Sequence, residues 1–304
     1  MSFRNRCGDA IGSLVVLALA TAPLAAQQST LRPNVASAGV LRVCADPDNM
    51  PGSNQKGEGY ENKIADLIAN EWDSKVQYAW WPVRRGFFAR ALNGRYCDVA
   101  MTAPAGLDQA ATTKPYFRSA YMIVYRKDSG LNLTSLNDPQ WKKLKIGVNL
   151  LNADAENTPP AMALGAHGVV GNLIGFPTFF SEQGDRPDDI IKAVTDKRVD
   201  AAIVWGPLAG YFAKQSSVPL VLNPILQDSV SGIPFAFSIA MGVRRRDHEL
   251  RDSLQQVIDR KRPEIEAILR QYGVPLFPIP DSGRAASSAP TDSTPGTRAS
   301  APSR

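Results

Sequence analysis

Histidine is nearly absent from this chain: its 304 residues include two, His167 and His248. So sparse a set suggests neither a histidine metal centre nor a Ser-His-Asp nucleophile, because one lies in a glycine-rich run and the other at the head of a helical stretch. Nucleotide loops are missing too. Gly165-Ala166-His167-Gly168-Val169-Val170-Gly171 has the wrong spacing for a dinucleotide loop, follows no clear strand and reads as a flexible connection. Charge is not concentrated in one sign: 34 Lys and Arg against 29 Asp and Glu give +5 without a basic block, which argues against a nucleic-acid-binding face. Long hydrophobic runs are lacking as well. The run from Leu14 to Ala20 is too short to cross a bilayer, and no later stretch approaches the roughly 20 apolar residues that a spanning helix needs. What is present, 44% hydrophobic and 21% charged residues, suffices for a sizeable core and one or two domains.

Both ends read as dispensable to the fold. Arg4 and Arg6, the apolar run, and Ala22-Pro23-Leu24-Ala25-Ala26 ahead of polar Gln27-Gln28 make residues 1–26 a secretory signal peptide, cut after Ala26. Cys7 leaves with it, and lacks the small-residue context of a lipid-anchored cysteine, so no membrane anchor is expected. At the other end, 19 of the 24 residues from Asp281 to Arg304 are Ser, Ala, Pro, Thr or Gly. Such a tail buries too little to offset its ordering entropy and is expected to be disordered. The folded part is then about residues 38–280.

Export reduces three cysteines to two, Cys44 and Cys97, in an oxidising compartment, which predicts a disulfide. Each sits in a short β-prone run, and the two runs are expected to be neighbouring parallel strands. The alternative is a pair of buried free thiols.

Strand-like runs alternate with helix-like ones. Strands are predicted over 41–46, 76–81, 97–102, 119–126, 144–149, 172–176, 200–205, 218–222 and 235–243. Helical stretches are predicted over Asn62–Asn70, Arg85–Leu92 and Pro187–Asp196, with a last one over Asp247–Tyr272 that Asp247 caps and Pro263 kinks or divides. That alternation predicts parallel α/β sheets, with more strands than one small domain holds and a ligand site outside the strands' carboxyl ends.

Four motifs occur in an order that resembles the family 3 periplasmic solute-binding proteins: Leu41-Arg42-Val43-Cys44-Ala45-Asp46-Pro47, Gly57-Glu58-Gly59-Tyr60-Glu61-Asn62-Lys63-Ile64-Ala65, Pro115-Tyr116 and Val199-Asp200-Ala201-Ala202. The resemblance implies an α/β, two-lobed periplasmic binding protein-like fold of type II, with a central cleft. Lobe one is then 38–122 plus 235–280 and lobe two is 126–231, with hinge crossings near Tyr121–Tyr125 and Ile233–Phe237. Amino-acid-binding members hold the ligand carboxylate with an Arg and its ammonium with an Asp. Here Gly106, in Ala103-Pro104-Ala105-Gly106, stands at the Arg position and Trp205 at the Asp position. A buried zwitterion needs both charges to replace its lost water, so an ordinary amino-acid receptor is disfavoured.

Longer segments narrow the resemblance. Cys44-Ala45-Asp46-Pro47-Asp48-Asn49-Met50-Pro51, Gly57-Glu58-Gly59-Tyr60-Glu61-Asn62, Trp81-Pro82-Val83-Arg84-Arg85-Gly86-Phe87 and Cys97-Asp98-Val99 resemble the quinoprotein-dehydrogenase-associated branch of that family. This implies a periplasmic accessory protein, not an enzyme, that serves a PQQ-dependent alcohol dehydrogenase of the methanol type and its cytochrome c. It aids the enzyme's maturation or activity, or binds a small-molecule ligand for it. The alternative is the substrate-binding protein of an ABC importer for a small non-amino-acid solute. One departure stands out: Gly52 occupies a position where the branch commonly carries a bulky residue, which is expected to widen the cleft mouth.

The residues expected to line a ligand or partner cleft are Asp46, Asn49, Asn54, Tyr60, Trp81, Arg84, Arg85, Pro104, Gly106 and Trp205. Of the adjacent Trp80 and Trp81, whose side chains face opposite ways, one is expected in the core and the other at the cleft. Arg84 and Arg85 are read either as an anion or acidic-partner site or as ordinary solvated charge. Glu58 and Glu61 are read chiefly as carboxylates that favour a helix N-terminus. No catalytic residue, metal or cofactor is assigned to the chain.

Overall fold

The computed structural model describes residues 39–83, 86–150, 158–178 and 186–280. The signal-peptide and tail expectations, for 1–26 and 281–304, lie outside the described residues.

The first strand, β1 (Val40–Ala45), alternates apolar and polar residues and then becomes wholly buried as it reaches the middle of the sheet. It is flanked on both sides by parallel strands. β4 (Lys75–Trp80) runs beside it from Val40↔Lys75 to Ala45↔Trp80, and β5 (Val99–Pro104) pairs at Val43↔Val99 and Cys44↔Ala100. Between β1 and β4 lie the two-residue strands β2 (Asp48–Asn49) and β3 (Ser53–Asn54), followed by helix α1 (Tyr60–Glu71). Ile64, Ala65, Ile68 and Ala69 of α1 are buried, the i, i+4 pairing that lays one apolar stripe on the sheet.

β6 (Ala111–Thr112) is a short edge piece, and the next strand, β7 (Phe117–Arg126), is ten residues long. Its first part, Phe117–Ala120, is antiparallel to β12 (Ala236–Val243), which in turn pairs with β5. The remainder, Tyr121–Arg126, lies between β11 (Leu220–Ile225) and β10 (Ala201–Trp205), both antiparallel to it. Parallel strands β8 (Ile146–Leu150) and β9 (Leu173–Pro177) extend the sheet beyond β10, giving the order β4-β1-β5-β12-β7-β10-β8-β9. One strand, β7, therefore belongs to both halves of a mixed sheet.

Helices cover the faces. In the second half these are α2 (Pro159–Ala166), α3 (Asp189–Thr195) and α4 (Gly206–Gln215); α5 (His248–Arg260) and α6 (Arg262–Gln271) return to the first half. The expected long last helix is divided at Lys261. Pro263 sits in the first turn of α6, where its missing N–H costs nothing, whereas inside a continuous helix it would break the bond to the residue four before it. Asp247 stands at the cap position of α5, but its carboxylate pairs with Arg244 at 2.6 Å and makes no capping bond. The helix predicted over Arg85–Leu92 is a single π-helical turn, Phe88–Leu92. The glycine-rich run is no slack connection: Gly165 and Ala166 close α2, and His167 Nε2 is 2.8 Å from the buried Asp228 carboxylate.

Apolar side chains gather in separate clusters. Leu41, Ile64, Trp72, Met101, Met241 and Leu254 belong to the core of the first half. Ile123, Trp141, Ile146 and Phe235 fill one face of the second half, and Val124, Ile190, Val194 and Val204 the other. A smaller cluster surrounds the Cys44–Cys97 disulfide, which joins β1 to the residue two before β5, with Cα atoms 5.3 Å apart. The pair predicted from composition is thus bonded across neighbouring parallel strands. Beside it, fully buried Asp98 receives both Arg42 Nε and Arg42 Nη2 at 2.7 Å and Arg244 Nη2 at 2.7 Å, so its charge is neutralised by two guanidinium groups.

Candidate functional site

The loop after β1 is folded back on itself by its own polar groups. Asp46 Oδ1 accepts the Asp48 N–H at 3.0 Å, and Asp46 Oδ2 accepts the Val83 N–H at 2.6 Å, which ties the carboxyl ends of β1 and β4 together. Asn49 stands in the β2–β3 hairpin, its carbonyl accepting from Gly52 N–H. Asn54 is held by Glu58 in both directions: its Oδ1 accepts the Glu58 N–H at 2.9 Å and its Nδ2 donates to Glu58 Oε2 at 2.8 Å. Asn62 Oδ1 accepts from Gly59 and Asn54 N–H groups, satisfying donors at the start of α1.

Glu61, in the first turn of α1, turns inward. It is 8% exposed, and its Oε1 accepts the Thr102 hydroxyl of β5 at 2.6 Å. Burial pushes this carboxyl up from 4.5 to about 7; the Thr102 bond works against that, and the negative charge of Asp46 adds to it. A dipole argument from sequence alone did not place Glu61 in the interior. Gly52 has a different role from the one expected. A Cβ there would lie 3.0 Å from Glu61 Oε1, and one on Gly59 would collide with the Gly52 carbonyl, so Gly52 is buried and makes room for the carboxylate. Tyr60 is a core residue, 4% exposed, with edge contacts to Phe117 and Tyr272, and burial raises its phenol strongly.

Trp80 and Trp81 are both half-buried. Trp80 stacks on Tyr78 at 4.6 Å and packs on the main core, while Trp81 packs against the disulfide cluster and tilts over Tyr96 at 5.5 Å. Arg84 and Arg85 lie outside the described residues. Pro104 ends β5, exposed, and Gly106 follows in a turn with φ +77°, its N–H donating to Thr112 Oγ1 at 3.2 Å and open space where a side chain would begin. Trp205 ends β10 opposite Tyr121 and meets Tyr121 and Phe237 edge-on at 5.4 and 6.0 Å, with Phe235 completing the cluster against Tyr121. Gly106 thus stands in a bare turn, and Trp205 is an indole set among aromatic rings.

The structure also shows a cavity that sequence reading missed. About 680 Å³ in volume, it lies between Pro47, Asp48, Met50, Asn54 and Glu58 on one side and Arg186, Asp188, Tyr211, Phe212 and Gln215 on the other. Of these residues, Asn54 is the one expected at a cleft, while Glu58 is expected chiefly as a carboxylate at a helix N-terminus. The far wall depends on α4, for which no helix is predicted, although Pro in the first helical turn and Leu208 and Phe212 one turn apart are helix signals. Among the described residues no group of three or more His, Cys, Asp or Glu stands close enough to hold a metal ion, and no helix is long and apolar enough to cross a membrane.

A mixed sheet sharing one long strand between two helix-covered halves is the architecture of type II periplasmic solute-binding proteins. No family model matches the sequence. The crystal structure of the periplasmic binding protein XoxJ from Methylobacterium extorquens AM1 superposes with a TM-score of 0.64 at 35% identity, covering 79% of this chain and 100% of that one. That of MxaJ from Methlophaga aminisulfidivorans MPT gives a TM-score of 0.68 at 27% identity, covering 78% and 100%. Protein MoxJ of Methylorubrum extorquens is 29% identical over 281 residues, 88% of this chain and 93% of its own length. The chain belongs to the MoxJ/XoxJ family, whose members are accessory proteins of methanol dehydrogenase systems built on a solute-binding fold. This bears out the fold and branch read from the motifs.

Proposed function

We propose that this chain acts in the periplasm, exported by residues 1–26, as an accessory protein of a PQQ-dependent methanol-type dehydrogenase, aiding its maturation or activity through contact with the enzyme or its cytochrome c. It does no chemistry of its own in this reading. Family membership supports the system served. The observation that carries the departure from transport is the pair Gly106 and Trp205, which leaves a solute zwitterion without its guanidinium and carboxylate partners. We assign lobe one to 38–122 plus 235–280 and lobe two to 126–231, with crossings near Tyr121–Tyr125 and Ile233–Phe237. We assign Trp81 and, next to it in the sequence, Arg84 and Arg85 to contact with the partner, and Asp46, Asn49, Asn54, Pro104, Gly106 and Trp205 to the border of the cleft.

The test is affinity capture with the mature protein from periplasmic extract of its host grown on an alcohol, with the eluate analysed for proteins and small molecules. Recovery of a quinoprotein dehydrogenase or its cytochrome, weakened by Trp81→Ala and Arg85→Ala, supports the reading. Recovery of a stoichiometric small solute without either protein would instead make the chain an importer's receptor.

A further inference from the structure

Two strands join the halves of a hinged binding protein, and closure requires that little else does. Here a third passage exists. After α6 the chain turns at Tyr272-Gly273 and continues without regular secondary structure to Pro280, and its side chains serve both halves: Val274 and Leu276 pack on the core of the first half, while Phe277, the next residue, packs against a core of the second.

The passage is tight against α4. A methyl group on Gly210 would collide with the Gly273 carbonyl, and the Pro275 ring lies 3.4 and 3.2 Å from where Cβ atoms of Gly206 and Gly210 would be. Glycine on both sides of this crossing therefore permits backbone contact between α4 and the strap. Polar and aromatic contacts reinforce it. Lys214 Nζ donates to the Gln271 carbonyl at 2.9 Å, Tyr211 stacks on Tyr272 at 5.7 Å and 17°, and Ser119 Oγ donates to the Pro275 carbonyl at 2.7 Å. The Phe277 N–H donates to the Arg118 carbonyl at 2.9 Å.

We propose that Tyr272–Pro278 is a third, structural crossing that holds the two lobes at a fixed opening, so that the protein presents a preset cleft to its partner and does not close on a solute. This rests on the lobe assignment proposed above. A closing motion would have to break the Gly210–Gly273 contact, the Tyr211–Tyr272 stack and the seat of Phe277 together. A fixed opening suits a docking platform, because no ordering cost is added when the partner binds.

The experiment is pulsed electron-spin distance measurement on the full mature chain, labelled at Lys63→Cys in the first half and Lys142→Cys in the second, both exposed, with the native cysteines in their disulfide. The expected result is one narrow distance, unchanged by periplasmic small-molecule extract, with a second, distinct population appearing in Phe277→Ser. Where Phe277→Ser fails to fold, the paired change Tyr211→Ala with Lys214→Ala, made at the surface of α4, serves in its place. A broad or solute-responsive distance in the unaltered chain overturns the proposal, as does a narrow one that survives in a folded strap variant. The accessory role is judged separately by partner capture. Lobes that move while the dehydrogenase is captured would remove the strap and leave the role; fixed lobes with no partner captured would do the reverse.

Discussion

Glu61 of α1 accepts a 2.6 Å hydrogen bond from Thr102 of β5 while the Gly52 backbone leaves no room for a side chain above it. The carboxyl titrates near 7 in the fold against 4.5 ordinarily. Between those values the unfolded chain has released the proton and the folded chain retains it, so the stability this group lends is full below about pH 4.5 and lost as pH rises through about 7. Glu61→Gln is expected to flatten the dependence of Tm on pH across that window. Equal slopes in the two proteins would show that another group titrates there.

Gly52→Val places a branched side chain against the same carboxylate. The expected cost is about 1–3 kcal/mol, by overpacking, read as a lower denaturant midpoint. A neutral effect would mean that Glu61 turns aside without penalty.

Asp98 is fully buried between Arg42 and Arg244. Replacing it by Ala leaves two guanidinium groups without their shared anion, with an expected loss of about 3–5 kcal/mol. Charge-neutralising partners removed together, as in Asp98→Ala with Arg42→Met, should recover part of it in a double-mutant cycle.

Reduction of Cys44–Cys97 opens a loop of sequence separation 53. Chain entropy values such a closure at roughly 2–4 kcal/mol, and Tm should fall on adding reductant. An unchanged Tm would contradict a structural role for the bond.

Much of the architecture could be read in the residues because strands and helices carry their periodicity locally. All nine long strands among the described residues lie within a few residues of their predicted spans, and Pro263 divided the final helix by its missing N–H. α2 and α4 escaped because glycine and proline in Gly165-Ala166 and Gly206-Pro207 mimic loop signals, and only their tertiary neighbours show them to be helix ends. The disulfide followed from cysteine number and compartment. The interior position of Glu61 did not follow from any local pattern: it depends on Thr102 forty-one residues away and on the backbone crossing of Gly52 and Gly59. Likewise, Trp205 could be seen to replace a charge, but its set of aromatic neighbours comes from β7 and β12, which only the fold brings together.

The central claim is service to a dehydrogenase, and the most direct measurement is methanol-type dehydrogenase activity in periplasm from a host strain lacking this gene, with and without the gene restored. The account predicts that active enzyme is lost in the deletion and recovered on complementation, while dehydrogenase polypeptide is still made. Full activity in the deletion strain, accompanied by loss of uptake of a small solute, would contradict it.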